Sequence, residues 1–438
     1  MAPQLWHAAS LALVALSAAL PSQDANSTEN RLARCVAQHA ETNDADAFAI
    51  RVQIGEEALL ATGHGRAAAR SNRDAGEDTV FPAGELAHAW LATALLAKAS
   101  SGDLDLEVRV QSLVPELVPK DSPVRVHDLL RHTSGLADYR DHAPERLLLQ
   151  APSYAEVMAT LKDVAPVNPP GECVAECATD TLLLAAVVEA QYGAPADEAL
   201  HRAIFGPLEM RSTGYQMTAV AREAGADEPA SPAFLPDGLR SSAGDLALFS
   251  RGLVDRIVLD SAAVEELTQP VRLSDGTLSS TGMGVRLVEL GDEPGHFLGG
   301  SSAVIAHFPA HDLVIAAIGE GDEPMLDELA WRVAQTVAAP PEVELRDLPL
   351  TEEEQAPYLG SYQIGCTTIL IASDGARLVL DEVDRGKTLL LNQGEHVFLA
   401  RDGSDVRLEF QLVGEQAESF ALIRNGLRST AQRLGRDG

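Results

Sequence analysis

Phe81-Pro82-Ala83-Gly84-Glu85-Leu86-Ala87-His88-Ala89-Trp90 opens a helix that the pattern predicts to run from about Glu85 to Ser100. Trp90, Leu91, Ala94 and Leu95 recur at helical spacing and give it a buried stripe, and Gly102 stops it. Glu85 stands at the helix start, where the macrodipole favours an anion. His88 follows one turn later, so both side chains are expected on one face. Upstream, Phe48–Ile54 and Ala58–Gly63 alternate like the two strands of a hairpin, with Gly55-Glu56-Glu57 as its turn. Residues about 24–46 read as a polar arm and a first helix.

The chain has 438 residues, enough for one large domain and a smaller appended one. It carries 65 Asp and Glu against 33 Lys and Arg, a net charge of −32, and its few lysines are Lys98, Lys120, Lys162 and Lys387. Such a surface repels nucleic acid and anionic membranes. The acids are spread along the chain, which favours a solvated surface over a docking face for a basic partner. The apolar run Leu5 to Leu20 is too short and too rich in alanine for a transmembrane span. It reads as a signal peptide, residues 1–22, cut between Ala19 and Gln23. No cysteine follows directly and no second span occurs, so the expected product is secreted or periplasmic, without stable membrane insertion. Export would permit disulfides. Of Cys35, Cys173, Cys177 and Cys366, the pair Cys173 and Cys177 is close enough to bridge and staple a loop, with buried free thiols as the equal alternative. Its spacing, with no further Cys or His beside it, gives little basis for zinc.

Ala338-Ala339-Pro340-Pro341-Glu342 marks a boundary. It divides the chain into a main domain at residues 24–338, a linker at 339–351 and a small domain at 352–438. In the last part, short alternating strands are punctuated by turn signals at Ser373-Asp374-Gly375, Asn392-Gln393-Gly394, Arg401-Asp402-Gly403 and Asn425-Gly426. A small antiparallel sheet or barrel is expected there, opened by Tyr358-Leu359-Gly360-Ser361-Tyr362.

Several blocks share one order with a known family. The strongest is Val126-His127-Asp128-Leu129-Leu130-Arg131-His132-Thr133-Ser134-Gly135-Leu136. Others are Gly102-Asp103-Leu104-Asp105-Leu106 through Val114-Pro115-Glu116-Leu117, Ile204-Phe205-Gly206-Pro207-Leu208-Glu209-Met210-Arg211-Ser212-Thr213, and Gly238-Leu239-Arg240-Ser241-Ser242-Ala243-Gly244-Asp245-Leu246-Ala247. Within the last, Ser242 followed by Asp245 resembles a capping box. Over residues about 30–338 the chain resembles the serine β-lactamase-related, penicillin-binding-protein-like hydrolases: class C β-lactamases, D-Ala-D-Ala carboxypeptidases and esterases. The C-terminal part resembles the lipocalin-like domain often appended to them. The resemblance implies an α/β fold: an antiparallel sheet flanked by helices, with a helical insertion between its first and last strands, followed by a small all-β domain.

The same resemblance locates three catalytic motifs, and all three are degenerate. The first is Ser-x-x-Lys, in which the lysine helps deprotonate the acyl-accepting serine. Glu85 stands at the serine position and His88 at the lysine position. The second, Tyr-x-Asn after a Pro-Gly pair, falls after Pro170-Gly171, with Glu176 for the tyrosine and Ala178 for the asparagine. The third, Lys-Thr-Gly or His-x-Gly, falls on Gly295-His296-Phe297-Leu298-Gly299-Gly300, where His296 fits but Leu298 replaces the glycine. No lysine has a serine three residues before it, no tyrosine precedes an asparagine by two, and Lys387-Thr388 continues into Leu389. The nucleophile motif has not moved elsewhere.

Three readings follow. In the first the chain is a pseudoenzyme, its pocket drifted, binding a small ligand or a protein or acting as a scaffold with no cofactor. In the second the pocket is rebuilt: Glu85, His88, Glu176 and His296 converge to hold Zn²⁺ or another divalent ion, or form an acid/base pair. In the third the C-terminal β domain makes adhesion or assembly contacts. Ser134 and the pair Ser301-Ser302 read as turn residues, since a lone serine without a placed base is usually that. Trp90 and Phe297 are candidates to fill the pocket.

Overall fold

A computed structural model describes residues 27–42, 45–66, 73–148, 152–215, 238–291, 293–321, 325–338, 345–383, 385–402 and 404–435. The expected signal peptide lies outside the described residues.

The main domain is built on six antiparallel strands in the order β6-β7-β8-β9-β1-β2. They are β1 (Ala45–Ile54), β2 (Glu57–Gly65), β6 (Arg286–Leu290), β7 (Glu293–Gly299), β8 (Ala303–Phe308) and β9 (Leu313–Gly321). A small sheet of β3 (Phe81–Pro82), β5 (Leu239–Ser241) and β4 (Gly214–Tyr215) lies beside them. The expected first hairpin is present as β1 and β2, turning at Gly55 and Glu56.

Alternation explains how the sheet is covered. In β1, Phe48, Ile50 and Val52 join one core cluster while Ala47 and Ala49 join the other. In β9, Leu313, Ile315 and Ala317 face the first cluster, and Val314, Ala316 and Ile318 the second. Successive side chains of a strand point to opposite faces, so a centre strand buried on both sides reads as an unbroken apolar run. The first face is covered by α1 (Thr28–Thr42) and by the helix that ends the domain, Leu326–Ala338. Burying each of Phe48, Phe308 and Leu32 there contributes roughly 1.5–3 kcal/mol.

The second face carries the helical insertion between β2 and β6. Its principal members are α2 (Ala87–Ser100), α3 (Val126–Leu130), α4 (Ala178–Tyr192) and α5 (Ala243–Val254); the domain-ending Leu326–Ala338 is therefore α6. Both α2 and α4 are apolar nearly all round and buried along most of their length, as central helices must be. The Ser242 hydroxyl caps α5 by accepting the Asp245 amide at 3.3 Å. The Asp245 carboxylate does not complete a capping box. It accepts instead from the Ser212 amide at 2.7 Å and the Thr213 hydroxyl at 2.8 Å, which ties two of the sequence blocks together.

The C-terminal part is an antiparallel barrel of strands β10 (Gly360–Ile364), β11 (Thr367–Asp374), β12 (Arg377–Glu382), β13 (Gly386–Gly394), β14 (Val397–Ala400), β15 (Val406–Val413), β16 (Gln416–Arg424) and β17 (Leu427–Arg433). It closes where Tyr362 and Gln363 pair with Arg433 and Gln432. Tyr358, Tyr362, Phe398, Phe410 and Phe420 pack inside it. The signal at Asn392-Gln393-Gly394 turns out to be strand; the turn comes after it, at Glu395 and His396, both in left-handed backbone. The barrel is joined firmly to the main domain. β17 pairs with β6 through Leu427 and Val288, the Trp331 indole donates to Asp405, and Cys173 forms a disulfide with Cys366.

That disulfide corrects the expected Cys173–Cys177 bridge. Cys177 is a buried free thiol at the start of α4, and Cys35 is also free. Local spacing suggested a loop staple, but the tip of the β10–β11 hairpin brings Cys366 to a Cα separation of 5.8 Å from Cys173, across 193 residues of sequence.

Candidate functional site

The segment before α2 enters as a short 3-10 turn, Gly84–Leu86. Pairing of Phe81 with Ser241 and the Ala83 amide on the Leu239 carbonyl, 2.9 Å, fix its direction. Glu85 is exposed on this turn. Its Oε2 accepts the backbone amides of Ser302 at 2.8 Å and Ala303 at 3.1 Å, at the start of β8. Gly299 and Gly300 make this approach feasible. Gly299 turns the chain at φ +82°, and a Cβ on Gly300 would stand 3.0–3.2 Å from the Glu85 carboxylate. Ser301 and Ser302 are turn residues, as expected, yet a backbone amide among them is what holds Glu85.

His88 is not exposed beside Glu85. Its side chain is buried between α3 and α4. Nε2 lies 3.0 Å from the Leu130 carbonyl, which can only accept, so the proton sits on Nε2. Nδ1, 3.2 Å from Thr181 Oγ1, then accepts the threonine hydroxyl. The ring stacks on His132 with centroids 3.8 Å apart. Gly284, at φ +73°, closes over it: a Cβ there would come 2.6 Å from His88 Cδ2. Burial first, then the neighbouring His132, holds His88 well below the usual imidazole range. A neutral ring with both nitrogens engaged has no free lone pair for a substrate proton. The expected face shared by Glu85 and His88 is therefore corrected: the 3-10 turn directs Glu85 outward and α2 buries His88.

Behind His88 lies a polar network that the sequence reading missed. His132 ends α3 in left-handed backbone, φ 53°, a conformation costly for a non-glycine residue. Its Nδ1 is 3.3 Å from Asp180 Oδ2, and Ser134 Oγ donates to Asp180 Oδ1 at 2.5 Å. Burial lowers His132 to about 4, against the opposing pull of Glu176. Burial raises Asp180 well above the usual carboxylate range, with Asp128 and Asp138 adding to the effect and Ser134 opposing it. The contact is thus better described as a neutral hydrogen bond than as an ion pair. Serine, aspartate and histidine are all present, but in the wrong order for a triad. The histidine lies on the far side of the carboxylate, so no imidazole receives the Ser134 proton.

Gly135 explains why this block reads as it does. It adopts φ +67°, and a Cβ there would fall 1.9 Å from the Asn168 carbonyl oxygen. The neighbouring loop runs alongside, with Gly171 N on Thr133 O and Ala175 N on His132 O. That loop delivers Glu176, exposed, whose charge acts on both His88 and His132. Ala178 begins α4, its amide donating to Asp138 Oδ2 at 2.9 Å. His296 lies on β7, edge-on to His307 at 5.0 Å. Among the described residues no group of three or more His, Cys, Asp and Glu is placed to hold a metal ion. Glu85, His88, Glu176 and His296 are thus not gathered as a metal site among the described residues. Trp90 and Phe297, the candidate pocket fillers, are both buried in the core. Trp90 packs on Phe205 and Phe249 in the helical core, and Phe297 on Phe308 across the sheet.

The family model described as Beta-lactamase matches residues 32–339, most of the chain. The chain belongs to the β-lactamase family. Penicillin-binding protein 4 of Amycolatopsis lactamdurans is 29% identical over 140 residues, a match spanning 31% of this chain and 36% of that protein. Among solved structures, the octameric penicillin-binding protein homologue from Pyrococcus abyssi shares 18% identity and a TM-score of 0.59, covering 93% of this chain and 100% of that one. The D-amino acid amidase from Ochrobactrum anthropi SV3, complexed with L-phenylalanine amide, shares 18% identity and a TM-score of 0.58, covering 72% and 99%. At these identities the structural likeness speaks for the fold. For this β-lactamase-family chain it gives a penicillin-binding-protein-like architecture. None of the described residues forms a helix long and apolar enough to cross a membrane.

Proposed function

We propose that this β-lactamase-family protein does not perform serine acyl transfer, and that its cleft serves binding or scaffolding. One observation carries the reading: the residue at the serine position, Glu85, is a carboxylate held by two backbone amides. A carboxylate in that place cannot form the stable acyl-enzyme that a serine would. The partner position supports the same conclusion, since His88 is buried, neutral and doubly hydrogen-bonded. Ser134 is buried and spends its proton on Asp180. The Cys173–Cys366 disulfide supports export to an oxidising compartment. The barrel, bonded and packed onto the main domain, is read as part of one scaffold rather than as a separate adhesion module.

Intact-mass spectrometry after incubation with a penicillin tests the reading. No mass increase is expected. A stoichiometric acyl adduct mapped to a serine would overturn it.

A further inference from the structure

We propose that the amides of Ser302 and Ala303, floored by Gly300, form a carboxylate-binding notch that Glu85 occupies as a displaceable plug, so that a carboxylate-bearing ligand binds there when Glu85 swings out. This names a ligand class for the cleft and rests on reading the cleft as a binding site.

Three features make the notch a built one. Two amides converge on a single oxygen, Glu85 Oε2, at 2.8 and 3.1 Å. Backbone amides that satisfy an anion without a counter-charge are a recurrent anion-binding arrangement. The turn that aims them is fixed by Gly299 at φ +82° and by the Gly300 amide on the Ala303 carbonyl at 2.9 Å. The floor has no side chain, and a Cβ on Gly300 would come 3.0 Å from Glu85 Oε1, against the bound carboxylate. Among the described residues no Lys, Arg or His pairs with Glu85, so the two amides are its partners.

The plug is displaceable because its side chain is exposed and belongs to a short turn, not to the buried face of α2. Tethering gives Glu85 an effective concentration at the notch on the order of millimolar. A free monocarboxylate therefore competes poorly with the wild-type side chain and well once it is removed.

The test is titration of ¹⁵N-labelled full-length protein with sodium acetate, following the assigned Ser302 and Ala303 amide resonances. In Glu85→Ala both resonances should shift saturably, with acetate affinity at least tenfold tighter than in wild type. Glu85→Gln, which keeps the side chain but not its charge, should fall between them and serves if the alanine variant does not fold. Acetamide should leave both resonances unmoved. Gly300→Ala in the Glu85→Ala background should abolish the acetate shift. Absence of a saturable shift in folded Glu85→Ala would overturn the proposal, as would equal affinity in wild type or equal binding of acetamide. The readout is independent of turnover, so an acyl adduct in the penicillin experiment would sink the non-hydrolytic reading without deciding this one.

Discussion

The ring of His88 stacks on the ring of His132, centroids 3.8 Å apart, so this side chain belongs to the protein interior. The imidazole joins α2 to α3 and α4 through the Leu130 carbonyl and the Thr181 hydroxyl. Its role is architectural, and removing it should be felt as lost stability.

His88→Ala should therefore destabilise the fold by about 2–4 kcal/mol, because it leaves two buried polar groups unpaired and opens a cavity beneath Gly284. Urea unfolding measures this. Gly284→Ala should also destabilise, by roughly 1–3 kcal/mol, through its clash with His88 and its positive φ. In the double variant the two costs should fall short of their sum, since the clashing ring is gone. Strict additivity would mean that the two residues do not touch.

Stability should fall as the pH drops from about 6.5 toward 4. His132 and His307 are held at about 4 and His296 at about 3, chiefly by burial, with His307 adding to the effect at His296. The unfolded chain takes up protons near 6.5 that these folded rings refuse. Unfolding thus binds protons throughout this window, and each such group contributes up to about 1.4 kcal/mol per pH unit. Asp180 acts in the opposite direction: its raised folded value costs stability as pH rises above the ordinary carboxylate range. With His88, also held low by burial, four histidines outweigh the three carboxylates that burial raises, Asp180, Asp245 and Glu189. Denaturation midpoints measured at pH 7, 6, 5 and 4 should decline in order, and a flat profile would contradict the buried neutral histidines.

Reduction of the disulfide, or Cys366→Ser, should cost about 5 kcal/mol by the loop-entropy account for a closure of 193 residues. Peptide mapping without reductant should recover Cys173 linked to Cys366, with Cys177 alkylated only after unfolding. Burial raises the Cys177 thiol to about 11, so it reacts slowly while folded. A Cys173–Cys177 peptide would contradict the structure.

Much of the fold was legible because its signals are local. The hairpin at β1 and β2, the α2 stripe and the strand-turn rhythm of the barrel follow from side-chain period and turn chemistry. What was not legible depends on direction and on distant partners. Glu85 and His88 are one helical turn apart by count, but Glu85 stands on a 3-10 turn, so spacing alone misjudged the shared face. Cys366 is far from Cys173 in sequence, and nothing near Cys177 announced that it would remain free. Asp180 drew no attention as an isolated acid in an apolar run, although an Asp followed by Thr181-Leu182-Leu183 at the start of a buried helix is itself a hint of an internal partner. Ser134 serves as a turn residue, its hydroxyl accepting the Leu136 amide and donating to Asp180.

The most direct measurement is hydrolysis of a chromogenic cephalosporin and a short p-nitrophenyl ester by the purified protein, beside Glu85→Ala and His88→Ala variants. No turnover above background is expected of wild type with either substrate. Turnover by wild type that is lost in folded Glu85→Ala or His88→Ala would contradict it, because the replaced residues would then be doing chemistry.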